Sequence, residues 1–171
     1  IRLSLVGSEM CIRDSTYTIF SDELNHASII DGCKLSKAKI VVYKHNDMND
    51  LKKKVELIST EKGVIITDSV FSMDGDIANI SKIIEIAKKN KLITIVDDAH
   101  ATGVIGKTGR GSSEYFNTKD IDITIGTLSK AIGSEGGFVC SNKKVIEFLR
   151  NKARSFISVS YTHLRAHETK A

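Results

Sequence analysis

The chain has 171 residues, 41% of them hydrophobic and 27% charged, with a formal net charge of +4. That length and apolar content suffice for one globular domain with a core of its own, and no apolar run reaches the length of a membrane span. The positive balance is spread as lysines along expected helix faces, not gathered into the patch of a nucleic-acid binder, so nucleic acid and membrane are excluded as partners.

Cys33 and Cys140 lie in or beside apolar runs, with neither CxxC nor metal spacing. They read as buried thiols of a reducing, cytoplasmic compartment. The two ends break the pattern of the middle. Residues 1–15 (IRLSLVGSEMCIRDS) and 158–171 continue no neighbouring period and resemble translated sequencing-adapter read-through. The fold is therefore read over 16–157 as one partial domain.

In chain order, Thr16 to Ser21 reads as a strand, and Asp22-Glu23-Leu24-Asn25-His26 turns out of it. Ala27 to Leu35 is a short helix with Ile29, Ile30 and Cys33 on one side. Lys39 to Tyr43 is a second strand. Asp47 suits the N-cap of a helix in which Leu51, Val55 and Ile58 fall at helical spacing. Gly63 to Asp68 is a third strand, leading into the loop Ser69 to Asp76. Ile80, Ile83, Ile84 and Ala87 mark the buried face of the next helix. Leu92 to Val96 and Ile121 to Ile125 are apolar β-branched runs and read as buried strands. A glycine-rich loop, Gly103 to Gly111, separates them. A short strand, Phe138 to Cys140, and a helix from Asn142 close the series. Alternation on this rhythm predicts an α/β fold: three layers, with a mostly parallel sheet covered by helices on both faces.

Chemistry-bearing residues follow two of these strands. Val96-Asp97-Asp98-Ala99-His100 ends one, and Gly126-Thr127-Leu128-Ser129-Lys130 ends the other. Open α/β sheets bind ligands at such carboxyl ends. A carboxylate, an imidazole and an amine there suit pyridoxal 5'-phosphate, which needs an anion at its ring nitrogen and an amine at its aldehyde. Lys130 has to be neutral for that bond, a state that a desolvated pocket favours. Thr127 and Ser129 offer hydroxyls for the phosphate.

Two other chemistries fit parts of the pattern. Ala101 to Thr108 nearly matches the phosphate loop G-x-x-x-x-G-K-[ST], with Ala101 in place of the first glycine. Asp97, Asp98 and His100, joined by His26 or His45, carry the donor atoms of a metal hydrolase site. Taken singly, each residue has a plainer role: His26 as a helix-entry residue, Ser72 as a turn residue, Asp97 as a cap.

Six stretches occur in one order: Leu24 to Ser28, His45 to Met48, Thr67 to Asp76, Val96 to Gly103, Gly109 to Gly111 and Gly126 to Ala131. Together they resemble the α-oxoamine synthases over essentially all of 16–157. These are fold-type-I pyridoxal-phosphate enzymes that condense an amino acid with an acyl-CoA thioester. The resemblance implies that Lys130 binds the cofactor aldehyde and later moves the substrate α-proton, that Asp97 pairs with the ring nitrogen, and that His100 meets the ring oxygen. It also implies that His26 stacks on the ring, that Ser72 lies near the ring oxygen, and that Thr127 binds the phosphate. No metal is implied. Alanine with a pimeloyl thioester fits the residues around Lys130 best, and glycine with acetyl-CoA is the second choice. The family's amino-terminal segment and its carboxy-terminal domain have no counterpart in the sequence, and its sites are completed across a homodimer. The chain on its own is therefore expected to have little turnover.

Overall fold

The computed structural model describes residues 17–60 and 62–152. The ends expected to be foreign, 1–15 and 158–171, lie outside the described residues.

Six strands form one sheet in the order β2-β1-β3-β4-β5-β6. They are β1 (Thr18–Asp22), β2 (Lys39–Tyr43), β3 (Gly63–Asp68), β4 (Ile93–Asp97), β5 (Ile123–Thr127) and β6 (Gly137–Ser141). The first five run parallel, and β6 pairs antiparallel with β5. The helices are α1 (Ala27–Leu35), α2 (Met48–Ile58), α3 (Ile80–Asn90), the single turn α4 (Ser112–Tyr115) and α5 (Lys143–Lys152).

Alternation along each strand divides the core in two. Phe20, Ile65 and Val96 point to one face, where Leu51 and Val55 of α2 and Ile80, Ile83 and Ala87 of α3 cover them. Ile19, Ile66, Ile95 and Ile125 point to the other, under Ile29 and Cys33 of α1 and Val145 of α5. Helices thus lie on both faces. The central strands β1 and β3 are buried along their whole length, as a parallel strand covered on two sides has to be.

The helix boundaries follow their caps. Asp47 Oδ1 accepts from the N–H groups of Asn49 and Asp50 at 2.9 and 3.0 Å, and Asn79 Oδ1 accepts from Lys82 N–H at 3.2 Å. The fifth strand begins two residues later than expected, for a local reason. Asp122 accepts from Thr94 N–H and Thr94 Oγ1 at 2.8 and 2.9 Å, so a side chain occupies the place where a ladder bond would start.

One expectation fails here. Cys33 is buried, but Cys140 is exposed. Val139 packs into the α1–α5 layer, so alternation turns Cys140 to the opposite face. There it borders an open hollow with Ser113 of the single turn α4, Thr118, Asp122 and Thr124.

Candidate active site

The site lies at the carboxyl ends of β3, β4 and β5. In the ladder Asp68 is opposite Asp97, and Asp97 is opposite Ile125. Counting by twos from Ile66, Ile95 and Ile125, the side chains of Asp68, Asp97 and Thr127 leave on the face that carries α1. Both carboxyl groups are buried.

The N-terminus of α1 meets them there. His26 is its N-cap, with Nδ1 accepting from Ser28 N–H at 3.2 Å and lying 2.7 Å from Ser28 Oγ. That acceptor role leaves Nδ1 unprotonated, so the neutral ring carries its proton on Nε2. The backbone N–H of His26 donates to Asp68 Oδ2 at 2.7 Å. Asn25 completes the junction. Its Oδ1 accepts from Asp68 N–H at 2.9 Å, and its Nδ2 donates to the Ile66 carbonyl at 3.0 Å.

Asp97 Oδ1 accepts from Ala99 N–H at 2.8 Å. The same strand end is held by Ser69, whose N–H and Oγ both donate to the Asp97 carbonyl. Lys130 Nζ reaches His100 Nε2 at 2.6 Å. Lys130 stands on no helix but on a closed loop. Thr127 Oγ1 donates to the Gly136 carbonyl at 3.1 Å and lies 2.8 Å from Ser129 Oγ. Leu128 and Ser134 close the loop through Leu128 N–H to Gly136 O and Ser134 N–H to Leu128 O.

Electrostatics tie these groups into one cluster. Burial pushes the Asp68 carboxyl up to about 7; the His26 N–H and Lys130 pull it down, and Asp97 pushes it further up. Burial also raises Asp97, opposed by the Ala99 N–H and Lys130. Lys130 is lowered by desolvation at its tip, against the pull of Asp97 and Asp68. The residue as a whole is exposed, and its amine rests against His100. His100 is lowered by burial and then by Lys130 and His26.

Five of the six residues expected at the site, Lys130, His26, Asp97, His100 and Thr127, thus gather at these strand ends. Ser72 is exposed on the loop after β3 and makes no hydrogen bond among the described residues. Asp68 and Asn25 were not expected. Both lie in stretches that carry the family resemblance, Leu24 to Ser28 and Thr67 to Asp76, but nothing in their spacing sets them apart from their neighbours.

The two other chemistries do not survive the geometry. The segment after His100 is a closed loop, bridged between Thr102 and Arg110, and no helix starts at Lys107-Thr108 to cradle a phosphate. Asp98 points away from Asp97, its Oδ2 accepting from Ser112 N–H at 2.9 Å. His45 is held between Asp22 and Asp76, each at 2.9 Å. Asp98 and His45 therefore turn away from Asp97 and His100, and no group of three metal-binding side chains forms among the described residues.

A family model described as aminotransferase class I and II matches residues 4–168. The chain is 58% identical over 153 residues to a putative 8-amino-7-oxononanoate synthase of Acetivibrio thermocellus, covering 89% of this chain and 39% of that protein. It is 56% identical over 158 residues to an 8-amino-7-oxononanoate synthase of Lysinibacillus sphaericus, covering 91% and 40%. Among solved structures it superimposes on a serine palmitoyltransferase of Sphingomonas wittichii with TM-score 0.82 and 35% identity, over 89% of this chain and 39% of that one. It superimposes on an 8-amino-7-oxononanoate synthase of Francisella tularensis with TM-score 0.78 and 35% identity, over 90% and 44%. The chain spans about 40% of the length of the curated relatives it matches. The motif resemblance to the α-oxoamine synthases is borne out, and the chain belongs to the aminotransferase class I and II family.

Proposed function

We propose that residues 16–157 are the cofactor-binding core of a pyridoxal-phosphate-dependent acyltransferase. It joins an amino acid to an acyl-CoA with loss of carbon dioxide and coenzyme A, as in 8-amino-7-oxononanoate synthase of biotin synthesis. The amino acid is L-alanine and the acyl donor a pimeloyl thioester. The full-length enzyme is a cytoplasmic homodimer.

The observation that carries this reading is the meeting of buried Asp97 with the Lys130–His100 pair at adjacent strand ends. Asp97 has one oxygen on the Ala99 N–H, and among the described residues no donor meets the other. A buried carboxylate in that state takes up a proton or a protonated partner, and a pyridinium nitrogen is such a partner. The residues therefore fit the cofactor. Pyridoxal phosphate, when bound, supplies an aldehyde for an amine and a ring that accepts the electron pair left at the substrate α-carbon.

The rest of the chemistry falls to the chain's own groups. Asp97 holds the proton on the ring nitrogen. Lys130, with its pKa lowered, is the amine that would bond the aldehyde with loss of water and, once displaced by the substrate's own amine, the base that would carry the α-proton. His100, kept neutral by its surroundings, accepts from Lys130 and orients it. His26 would lie against the ring, Thr127 and Ser129 would hold the phosphate, and Ser72 would meet the ring oxygen. The loop from Ser129 to Gly136 is exposed, which agrees with a site completed by other parts of the full-length homodimer.

The full-length enzyme should purify yellow, and borohydride should fix the cofactor to a peptide containing Lys130. Alanine with pimeloyl-CoA should give product faster than glycine with acetyl-CoA. Preference for the second pair would assign it to glycine C-acetyltransferase, and a colourless protein would end the reading. The isolated 171-residue chain should show no product.

A further inference from the structure

We infer that Asp68 is a positioning residue of this site: with Asn25 it clasps His26 to the end of β3 and sets a second negative charge beside Asp97. The inference deepens the cofactor reading and rests on it for the role of the charge. Its geometry stands on its own.

The clasp consists of three bonds over a long sequence gap. Asp68 Oδ2 accepts from the His26 N–H at 2.7 Å, 42 residues away. Asn25 Oδ1 accepts from the Asp68 N–H at 2.9 Å, and Asn25 Nδ2 donates to the Ile66 carbonyl at 3.0 Å. Asp68 and Asn25 are both buried, with 4% of their surface exposed. A buried ion is costly unless paired, and a buried amide needs its partners. The arrangement therefore resists any shift of α1 relative to β3. His26 is held at a second point, where its Nδ1 meets Ser28. Backbone and ring are thus both tied, and Nε2 makes no hydrogen bond among the described residues.

The second consequence is electrostatic. Asp68 is the ladder partner of Asp97. The charged groups that face it are Asp97 from β4, Asp22 from β1 and Lys130 from the loop after β5. Its charge acts on both ends of the cluster. It opposes ionisation of Asp97 and favours the protonated form of the nitrogen on Lys130.

Substitution separates the two. Asp68→Asn keeps an oxygen for the His26 N–H but removes the charge. Asp68→Ala removes both, and Asn25→Ala weakens the clasp while leaving the charge. The full-length holoenzyme is titrated through the visible absorbance of its bound cofactor, which reports the proton on the Lys130 nitrogen. Amide hydrogen exchange at His26 is followed in the cofactor-free protein.

Asp68→Asn should leave His26 exchange slow and move the absorbance midpoint to lower pH. Asp68→Ala should speed exchange at His26 by about tenfold or more, the loss expected for a hydrogen bond to a charged group. Should that variant not fold, Asn25→Ala should speed exchange with an unmoved midpoint. Unchanged exchange in both alanine variants overturns the clasp, and an unmoved midpoint in Asp68→Asn overturns the charge. A wild-type protein that takes up no cofactor would sink the functional reading and leave the exchange result standing.

Discussion

Lys130 Nζ lies 2.6 Å from His100 Nε2. At that distance two cations cannot coexist, so the pair shares at most one proton. Both groups have lowered pKa values, His100 through burial and then the neighbouring Lys130 charge. Removing the amine should release the imidazole. In Lys130→Ala the His100 pKa should rise toward its ordinary value, followed by its ring resonances in an NMR titration. The same variant should keep no cofactor after borohydride treatment and gel filtration in denaturant.

Asp68 should make the cofactor-free protein less stable as pH rises. Its carboxyl titrates at about 7 in the folded chain, against 3.8 for a free aspartate side chain. The folded state therefore binds this proton more tightly than the unfolded state. The resulting stability is full below about pH 3.8 and is lost as pH rises toward 7. Asp68→Asn removes that loss. At pH 8 it should be more stable than wild type by up to about 4 kcal/mol, with little difference at pH 4, as read by urea titrations.

His45 should respond to pH in a different window. Burial works against its charged form, but hydrogen bonds and charge from Asp22 and then Asp76 hold its pKa above 6.5. Its contribution is complete below pH 6.5 and is lost as pH rises through the folded value. The ring also meets Phe71 edge-on, with centroids 4.4 Å apart. His45→Ala should cost about 1–3 kcal/mol at pH 6, since it takes one charge-assisted donor from each of Asp22 and Asp76 and leaves them only the Leu24 and Asn46 N–H groups and the Asn46 side-chain amide. The cost should shrink at pH 8. Hydrogen exchange should quicken across Ser69 to Ala78, the loop that His45 ties to β1.

Gly111→Ala should loosen the loop after His100. The glycine has φ +82°, and an added Cβ would strike the Asp98 carboxylate that accepts from Ser112 N–H. Left-handed strain together with displacement of a buried carboxylate should cost about 2–4 kcal/mol. A denaturation midpoint checks this, and in the full-length enzyme activity should fall with it.

Much of this architecture can be read from residue order, because the strands are β-branched runs and the helices carry a clear apolar stripe. Asp97 and Lys130 were legible for that reason: each follows such a run, and strand ends are where an α/β sheet exposes its chemistry. Asp68 was not. Its importance depends on β3 and β4 being neighbours in a register that places Asp68 beside Asp97, and sequence spacing does not encode register. The His26 backbone bond to Asp68 is hidden for the same reason. Resemblance to a family supplied a role for the His26 ring but none for its N–H. Cys140 was misread because a short strand of mixed residues does not reveal which of its sides is covered. The turn α4 was missed because four residues in a glycine-rich stretch carry no period.

The outermost strand has a practical consequence. Among the described residues β6 has no partner beyond β5, and its sequence, Gly137-Phe138-Val139-Cys140-Ser141, contains no charge. Unlike β2 at the opposite margin, which begins with Lys39, it has nothing to repel an incoming strand. Molecules of the isolated chain should therefore stick to one another along this border as they are concentrated. Air oxidation at Cys140 would then rivet the pairs together, so that dilution alone no longer separates them.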